Sequence, residues 1–434
     1  MKKFFYLIII FSLISSCCFF PVKEQNTIPD YKPDINWKLE TTHYYSNYIG
    51  KQYDKYFYYI EYNNGTRISK IDLENGIKIW QTDPGIKSIS SEPVVCGDYV
   101  FIPSTWNNNE AVKNKIFCFS NETGKLCATI RLTDSEEWTV NDDIYPHYKS
   151  FFGYKDKYIY WNNCALNKTC KSAIYKIDIS NIDFTKQADE IQIIEPEIFI
   201  DNKRLWTYFI ENDNIFYVRT DAALRYEEGP TTFYAYNAET GEILWEYTTN
   251  RMSGIAKNPL LYVDDERNGI KNKLFCIAEQ LGCYDASTGE PVWEIFQTDE
   301  DLQKEHHLGG FDEDTGIFYS DGRLYYTTYD TCNSTEYPKH LRNNILCIDA
   351  KTGKYIWSYA TDGSLGSRPI VSNGKVFVTT FLRGLYVFDA KTGKLIGSDK
   401  TKGTWGDERN AIYNGNVIFF DYSKKNGTLY SIKP

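Results

Sequence analysis

The stretch Ile348-Asp349-Ala350-Lys351-Thr352-Gly353-Lys354-Tyr355-Ile356-Trp357 carries the pattern that decides the fold. A second copy reads Tyr284-Asp285-Ala286-Ser287-Thr288-Gly289-Glu290-Pro291-Val292-Trp293. In both copies an apolar strand runs into Asp, Thr and Gly, and a second apolar strand ends in Trp. The pattern predicts a β-hairpin with a type I turn, a left-handed Gly and an Asp side chain that accepts backbone N–H groups.

The hairpin recurs along the chain. Weaker copies centre on Gly76, Gly124, Gly241 and Gly393, and a degenerate copy lies at Ile177-Asp178-Ile179-Ser180-Asn181. A second, independent signal is a turn residue, one spacer and an apolar pair that opens a strand. It occurs eight times, as in Asp54-Lys55-Tyr56-Phe57 and Gly374-Lys375-Val376-Phe377. Four short strands in a unit of roughly 40 to 60 residues indicate a propeller blade.

The ends of the chain complete this count. The last unit stops at a third strand, Leu429-Tyr430-Ser431-Ile432, and Asn36-Trp37-Lys38-Leu39 resembles an isolated fourth strand. Pairing the two strands closes the ring and removes exposed sheet edges. The sequence therefore predicts an all-β, eight-bladed propeller of four-stranded antiparallel blades. Seven blades is the alternative if the unit near Ile177 is not a blade.

These repeats resemble the quinoprotein (PQQ) alcohol dehydrogenase-like β-propeller family over residues 36–434. The resembled dehydrogenases hold a quinone and a calcium ion beside a disulfide between adjacent cysteines. Here the adjacent pair is Cys17-Cys18, so we expect no cofactor and no enzyme activity, and a quinone-dependent dehydrogenase is the least favoured alternative. In kind, the chain is similar to the lipoprotein subunit of the outer-membrane β-barrel assembly machinery, which implies a scaffold with envelope proteins, including membrane-protein assembly machinery, as partners.

The N-terminus predicts export. Two lysines and an apolar run precede Ile14-Ser15-Ser16-Cys17, which resembles a bacterial lipobox. We expect a signal peptide at 1–16, acylation of Cys17, a tether at 17–35 and the propeller at 36–434. This pattern places the protein in the bacterial cell envelope, on the outer membrane, and leaves the periplasmic or surface face open. A formal net charge of −10 argues against nucleic acid.

Cysteines and tryptophans have structural interpretations. Cys118, Cys283 and Cys347 occupy a small core position before the turn, and we expect buried, inert thiols. Cys164 and Cys170 flank a predicted loop, so a disulfide and two free thiols both remain open. The family resemblance implies that the repeated tryptophans dock between blades: Trp80, Trp245, Trp293 and Trp357. No histidine pattern predicts a metal site, because His306 and His307 are adjacent and the other three are scattered.

Long insertions indicate which rim carries function. Six segments are predicted to join strands at one rim: Pro103–Lys115, Leu132–Ser150, Thr185–Asp201, Arg219–Thr232, Thr298–Gly310 and Thr328–Asn344. Loop-borne aromatic and arginine residues serve as interface anchors. The candidates on this rim are Trp106, Trp138, Tyr145, His147, Trp161, Arg219, Arg225, Tyr226 and Tyr337. A surface adhesin or glycan-binding propeller is an alternative, because Trp106 and Trp161 are each followed by asparagines.

Overall fold

The computed structural model describes most of the propeller. The described residues are 28–41, 49–62, 66–85, 92–103, 115–132, 152–155, 157–163, 173–201, 210–212, 215–221, 230–252, 260–277, 280–296, 316–328, 344–361, 368–380, 384–399, 411–421 and 427–434. These residues form β-strands and two short 3-10 helices, Ile179–Asn181 and Glu266–Asn268. Within these ranges, the chain forms no helix with the length and apolar character needed to cross a membrane.

The first four blades follow one another along the chain. Their strands are β2 (Ile49–Tyr53), β3 (Tyr56–Tyr62), β4 (Thr66–Asp72) and β5 (Ile77–Thr82) in blade 1, β6 (Val94–Cys96), β7 (Tyr99–Pro103), β8 (Lys115–Ser120) and β9 (Leu126–Leu132) in blade 2, β10 (Phe152–Lys155), β11 (Tyr158–Asn163), β12 (Ala173–Asp178) and β14 (Glu197–Asp201) in blade 3, and β15 (Ile210–Asn212), β16 (Ile215–Asp221), β17 (Pro230–Asn237) and β18 (Ile243–Met252) in blade 4. A further strand, β13 (Ile191–Ile194), belongs to the blade 2 sheet.

The remaining blades repeat the same order. Their strands are β19 (Leu260–Asp265), β20 (Ile270–Ile277), β21 (Gln280–Asp285) and β22 (Pro291–Phe296) in blade 5, β23 (Phe318–Ser320), β24 (Arg323–Thr328), β25 (Asn344–Asp349) and β26 (Tyr355–Ala360) in blade 6, β27 (Ile370–Ser372), β28 (Lys375–Thr380), β29 (Gly384–Asp389) and β30 (Leu395–Asp399) in blade 7, and β31 (Ala411–Tyr413), β32 (Asn416–Asp421), β33 (Thr428–Lys433) and β1 (Asp34–Glu40) in blade 8.

The ring closes between the chain ends, as the sequence predicts. Strand β1 pairs antiparallel with β33, with Trp37 opposite Ser431 and Leu39 opposite Leu429. The blade count is therefore eight, and the alternative of seven is wrong. First strands of neighbouring blades approach one another, as β6 does β10 and β23 does β27. Fourth strands form the circumference and carry exposed residues such as Ile77 and Val292.

The core consists of apolar layers between blades. On β3, Tyr58 and Ile60 pack against Val100 and Ile102 of β7, while Tyr59 faces the opposite way toward Phe420 of blade 8. Because side chains alternate along a strand, each blade packs on both neighbours. The predicted small core thiols lie in these layers, with Cys118 and Cys347 both 0% exposed.

The repeated hairpin turns have the geometry that the sequence predicts. Asp349 Oδ1 accepts the backbone N–H of Thr352 at 2.8 Å, and Asp389 Oδ1 accepts that of Thr392 at 2.8 Å. Gly353 and Gly393 follow with φ of 70° and 69°. The carboxylate thus satisfies a turn donor, and the left-handed residue lets the chain return.

The repeated tryptophans join each blade to the next. The indole N–H of Trp293 donates to the Ala350 carbonyl at 3.0 Å, and that of Trp357 donates to the Ala390 carbonyl at 3.0 Å. Each ring lies against the turn glycine of the next blade, so that a Cβ atom added at Gly393 would lie 2.5 Å from Cδ2 of Trp357. Equivalent indole bonds extend from three further tryptophans: Trp37, Trp80 and Trp245.

Blades 2 and 7 have a small residue where these blades have tryptophan. The position opposite Cys118 is Ala128, and the position opposite Val387 is Gly397. The outer edges of these two blades each receive an added segment. Strand β13 pairs parallel with β9, and Asp30 forms a parallel bridge with Ser398. The added segments provide packing between blades that a tryptophan provides elsewhere, because they bring apolar side chains to the same junctions.

Contacts with the propeller begin upstream of residue 36. Ile28 packs against the core between blades 6 and 7, and Tyr31 packs against the core between blades 7 and 8. The Tyr31 N–H donates to the Ser398 carbonyl at 2.8 Å, and the Ser398 N–H donates to the Pro29 carbonyl at 2.9 Å. The last part of the predicted tether is therefore bound to blade 7.

Candidate functional site

The two rims of the ring differ in how their strands are connected. Turns between first and second strands and between third and fourth strands meet at one rim, which we call the turn rim. They are short in most blades, as in Asn373-Gly374 and the turn that ends at Gly393. The other connections meet at the opposite rim, which we call the loop rim.

Five of the six predicted insertions connect strands at the loop rim. The segments are 104–114, 133–151, 222–229, 297–317 and 329–343, between described strands whose ends lie at this rim. These loops lie mostly outside the described residues, so their placement rests on the strands they join. Five insertions at one rim make that rim the candidate binding surface.

The sixth segment, Thr185–Asp201, is not a loop-rim connection, and that part of the prediction is wrong. It lies between β12 and β14, the third and fourth strands of blade 3. The degenerate turn near Ile177 is replaced by a 3-10 helix and by β13, and the end of the segment is the fourth strand itself. The alternating pattern Ile191-Gln192-Ile193-Ile194 is the signal that could have identified a strand here.

Two of the predicted rim residues belong to the described part of the chain, and both are buried. Trp161 on β11 is 5% exposed and packs in the core between blades 2 and 3. Arg219 on β16 is 0% exposed. Neither side chain is an exposed anchor. Seven candidates lie outside the described residues: Trp106, Trp138, Tyr145, His147, Arg225, Tyr226 and Tyr337. Cys17, Cys164 and Cys170 also lie outside them.

A buried polar layer, which the sequence analysis missed, lies beneath the loop rim. Second strands of several blades end in polar side chains that are almost fully buried: Glu61, Arg219, Thr327, Thr379 and Asp421. The Tyr59 hydroxyl donates to Glu61, and Gln81 Nε2 donates to Glu61 Oε2 at 3.4 Å. Arg219 and Asp421 also have interaction partners. Because charges are buried only when they are paired, this layer forms a rigid base for the loop rim.

Polar groups on the innermost strands connect neighbouring blades. Lys51 on β2 lies 3.6 Å from Glu92, before β6, and Gln52 Nε2 donates to the Ile412 carbonyl of blade 8 at 2.9 Å. Desolvation lowers the pKa of Lys51, but Tyr53 and Glu92 stabilise its charged form, and its pKa is raised overall. A lysine with a raised pKa stays protonated at neutral pH, so it serves as an ion-pair partner and not as a base.

A cavity of 710 Å³ lies against the inner strands of blades 5 and 6. Tyr262, Phe318 and Arg368 line it, and Asp265 lies at its turn-rim end. Asp265 accepts from Asn268 Nδ2 at 2.8 Å and from the Tyr319 hydroxyl at 3.0 Å. The hydrogen bond from Asn268 is the main reason that the pKa of Asp265 is lowered. Burial, together with the contact with Asp265, raises the pKa of Tyr319 to about 12. These bonds hold the hairpin between β19 and β20 in place.

Potential metal ligands on the described inner strands do not cluster. Across the described ranges, no three His, Cys, Asp or Glu side chains lie close enough together to hold a metal ion. Two carboxylates beside the first strands, Glu92 and Asp265, are engaged in the contacts given above.

Together, the blade order, the ring closure and the tryptophan docking define the class of protein, an eight-bladed propeller built from PQQ-like repeats. The family profile described as "Outer membrane protein assembly factor BamB" matches residues 201–304 and 277–433. These matches cover more than half of the chain, and the chain belongs to this family. No curated protein sequence matches it.

Solved structures share the fold at low sequence identity. A europium-containing methanol dehydrogenase is 11% identical with a TM-score of 0.63, over 94% of this chain and 95% of that chain. BamB from Moraxella catarrhalis is 11% identical with a TM-score of 0.56, over 93% and 98%. Saccharomyces cerevisiae Sqt1 is 11% identical with a TM-score of 0.58, over 93% and 100%. At these identities, the likeness shows the fold alone.

Proposed function

We propose that this protein is a non-enzymatic envelope lipoprotein whose propeller is a scaffold, and that its loop rim binds a protein partner. The observation that carries the proposal is the asymmetry of the two rims. Short turns close most of one rim, with a long connection only between β12 and β14 in blade 3 among the described blades, and the insertions 104–114, 133–151, 222–229, 297–317 and 329–343 join strands at the other. A rigid ring that presents several long segments on one side is suited to binding a macromolecular surface.

The packing beneath the loop rim supports a binding role over a catalytic one. A catalyst needs a titratable group that can reach a substrate. On the described strands, Glu61 is bonded to Tyr59 and Gln81, and Lys51 is paired with Glu92. These bonds hold strand ends in position. Family membership also supports a role in envelope protein assembly, with envelope proteins or membrane-protein assembly machinery as partners.

The proposed anchor is compatible with a free loop rim. If lipid is attached at Cys17, the chain between Cys17 and Ile28 can span at most ~40 Å when fully extended. Asp30 runs parallel to β30, which begins at the turn rim. The described chain therefore leads upstream toward the turn rim. A tether of this length is long enough to leave the loop rim free when Cys17 is anchored in the outer membrane.

Crosslinking in the native envelope tests the scaffold proposal. The acylated protein would be crosslinked mildly and purified beside a variant in which 133–150 and 298–310 are shortened to tight turns. We expect specific envelope proteins with the parent and their loss with the variant. A control variant shortens the hairpin loop 264–271 on the turn rim and should keep them. Recovery of no partner by any form, or equal recovery by all three, would contradict the proposal.

The anchor has a matched test in the adjacent cysteine. Cys17→Ala should abolish incorporation of a labelled fatty acid and release the protein from membranes, whereas Cys18→Ala should change neither. Both variants keep the same propeller sequence. Labelling that survives Cys17→Ala would contradict the proposed attachment of lipid at Cys17.

A further inference from the structure

The outer edge of blade 2 carries a strand that comes from blade 3. Strand β13 pairs parallel with β9 in a continuous register, from Ile191 opposite Thr129 to Ile194 opposite Leu132. It makes blade 2 the five-stranded sheet of the described structure. Within the described residues, no strand pairs with the other edge of β13. Its outward backbone groups are thus in the position of an edge strand, which is a template for pairing.

The segment that contains β13 is held rigidly. The Gln192 side chain is 7% exposed and bonds the Asp183 backbone twice, accepting its N–H at 2.8 Å and donating to its carbonyl at 2.8 Å. Phe184 stacks on Tyr99 with ring centroids 3.8 Å apart. The Thr129 hydroxyl donates to the Ala188 carbonyl at 2.8 Å. A strand fixed in this way is preorganised, so a partner would not have to order it.

The face of β13 that points away from blade 3 is apolar and exposed. Gln192 and Ile194 face the core, whereas Ile191 is 41% exposed and Ile193 is 56% exposed. An exposed pair of β-branched side chains on a rigid strand edge is an aggregation liability unless something covers it. The exposed edge and its two isoleucines therefore favour a binding partner that forms backbone hydrogen bonds with β13 and apolar contacts with its side chains.

Charges around the strand indicate the chemistry of that occupant. Asp189 and Glu190 precede Ile191, and Glu195 and Glu197 follow Ile194, all of them exposed. Lys186 pairs with Glu190 at 3.7 Å and Lys176 with Glu197 at 3.4 Å. Asp189 and Glu195 have no ion-pair partner in the described part of the chain. Arg131 on β9 lies opposite Ile193 at the middle of the strand, whereas the two ends of the strand carry net negative charge, which favours a partner with basic residues on either side of an apolar core.

Outer edges of this propeller already bind strands. Strand β13 on β9 and Asp30 beside Ser398 are two separate cases, both parallel and both on fourth strands. We propose that β13 is a second docking surface, separate from the loop rim, which binds an extended segment of a partner protein by strand addition. The segment has apolar residues at alternate positions and Lys or Arg at its ends. This inference requires that the protein bind protein partners but not that the loop rim do so.

A designed peptide tests this surface directly. The probe is a fluorescent peptide of about ten residues that alternates isoleucine with threonine and carries two lysines at each end. Binding to the intact protein is followed by anisotropy. We expect saturable binding that weakens as salt rises from ~0.05 to ~0.5 M, because the flanking charges are exposed. A peptide with glutamates in place of the lysines should bind at least about tenfold more weakly.

Matched variants locate the binding. Ile193→Lys removes an apolar contact and repels the lysines, so the probe should bind at least about tenfold more weakly. Ile77→Lys is the control, because Ile77 is 57% exposed on the fourth strand of blade 1, and probe affinity should stay within about twofold. No saturable binding, or equal losses in both variants, would overturn the proposal.

Two further measurements separate the other outcomes. If the protein dimerises with increasing concentration and Ile193→Lys abolishes the dimer, a second copy of the chain covers the edge and the proposal fails. The variant with shortened 133–150 and 298–310 keeps all of β9 and should bind the probe normally. Probe binding that persists while loop-rim crosslinks are absent would contradict the proposed loop-rim function alone, and the reverse result would contradict strand addition alone.

Discussion

The contact between turn glycine and tryptophan predicts a difference between two substitutions in one blade. Gly374 and Gly393 both belong to blade 7 and have φ of 71° and 69°. Replacing either with alanine forces a Cβ into the left-handed region, which costs about 1–2 kcal/mol. A Cβ at Gly374 meets nothing within 4 Å, whereas a Cβ at Gly393 would lie 2.5 Å from Trp357 Cδ2 and 2.7 Å from Cε3.

The second cost at Gly393 comes from moving the indole ring. Overpacking costs about 1–3 kcal/mol, and losing the bond from Trp357 Nε1 to the Ala390 carbonyl adds about 1 kcal/mol. Gly374→Ala should therefore lose about 1–2 kcal/mol of unfolding free energy, and Gly393→Ala about 2 kcal/mol or more beyond that. Urea unfolding, followed by tryptophan fluorescence and circular dichroism together, measures both.

The stabilities of Gly374→Ala and Gly393→Ala can also refute the role given to the tryptophan. Fluorescence and circular dichroism transitions must coincide for the free energies to be comparable, because a repeat protein can unfold in parts. If the two variants lose the same free energy, the tryptophan does not restrict the turn. If Gly393→Ala is the more stable of the two, the inter-blade contact makes no net contribution and the tryptophans are not structural joints.

Three further predictions concern the blade junctions, the turns and the thiols. Tyr31→Ala should destabilise the protein and raise protease cleavage near residue 31, because Tyr31 packs between blades 7 and 8; unchanged cleavage by limited proteolysis would contradict this. Hydrogen bonds from Thr392 lower the pKa of Asp389, so its stabilising effect is present at neutral pH and is lost as pH falls through its folded pKa, which lies below the ordinary value of an aspartate. Asp389→Asn should keep the turn, because Asn237 caps the equivalent turn in blade 4. The variant's unfolding free energy should depend less on pH in the acidic range than that of the parent. An unchanged pH profile would contradict this prediction. Burial raises the pKa of Cys283 to about 12 and that of Cys347 to about 11. Iodoacetamide at pH 8 should therefore label these thiols only after the protein unfolds. Labelling of the native protein, detected by mass spectrometry, would show that the thiols are not inert.

The sequence by itself determined the architecture of the ring. Turn signals such as Asp349 to Gly353 are local, and strand openings such as Asp54 to Phe57 repeat with them. Local turn chemistry and two-residue alternation therefore predict four strands per blade, eight blades and a closing strand at Trp37. The docking of Trp293 on the next blade is also predicted by the family resemblance, because a tryptophan recurs at the end of several fourth strands.

Tertiary structure alone decided which side chains are buried at the loop rim and which segments cross between blades. Trp161 is buried because it packs in the core between blades 2 and 3, and Arg219 is 0% exposed, and residue type by itself does not reveal such burial. Strand β13 leaves blade 3 and pairs with β9, and Pro29 to Tyr31 bind β30. These pairings join residues far apart in the chain at the places where Ala128 and Gly397 leave room. That room is a property of packed blades, so it exists only once the ring has formed.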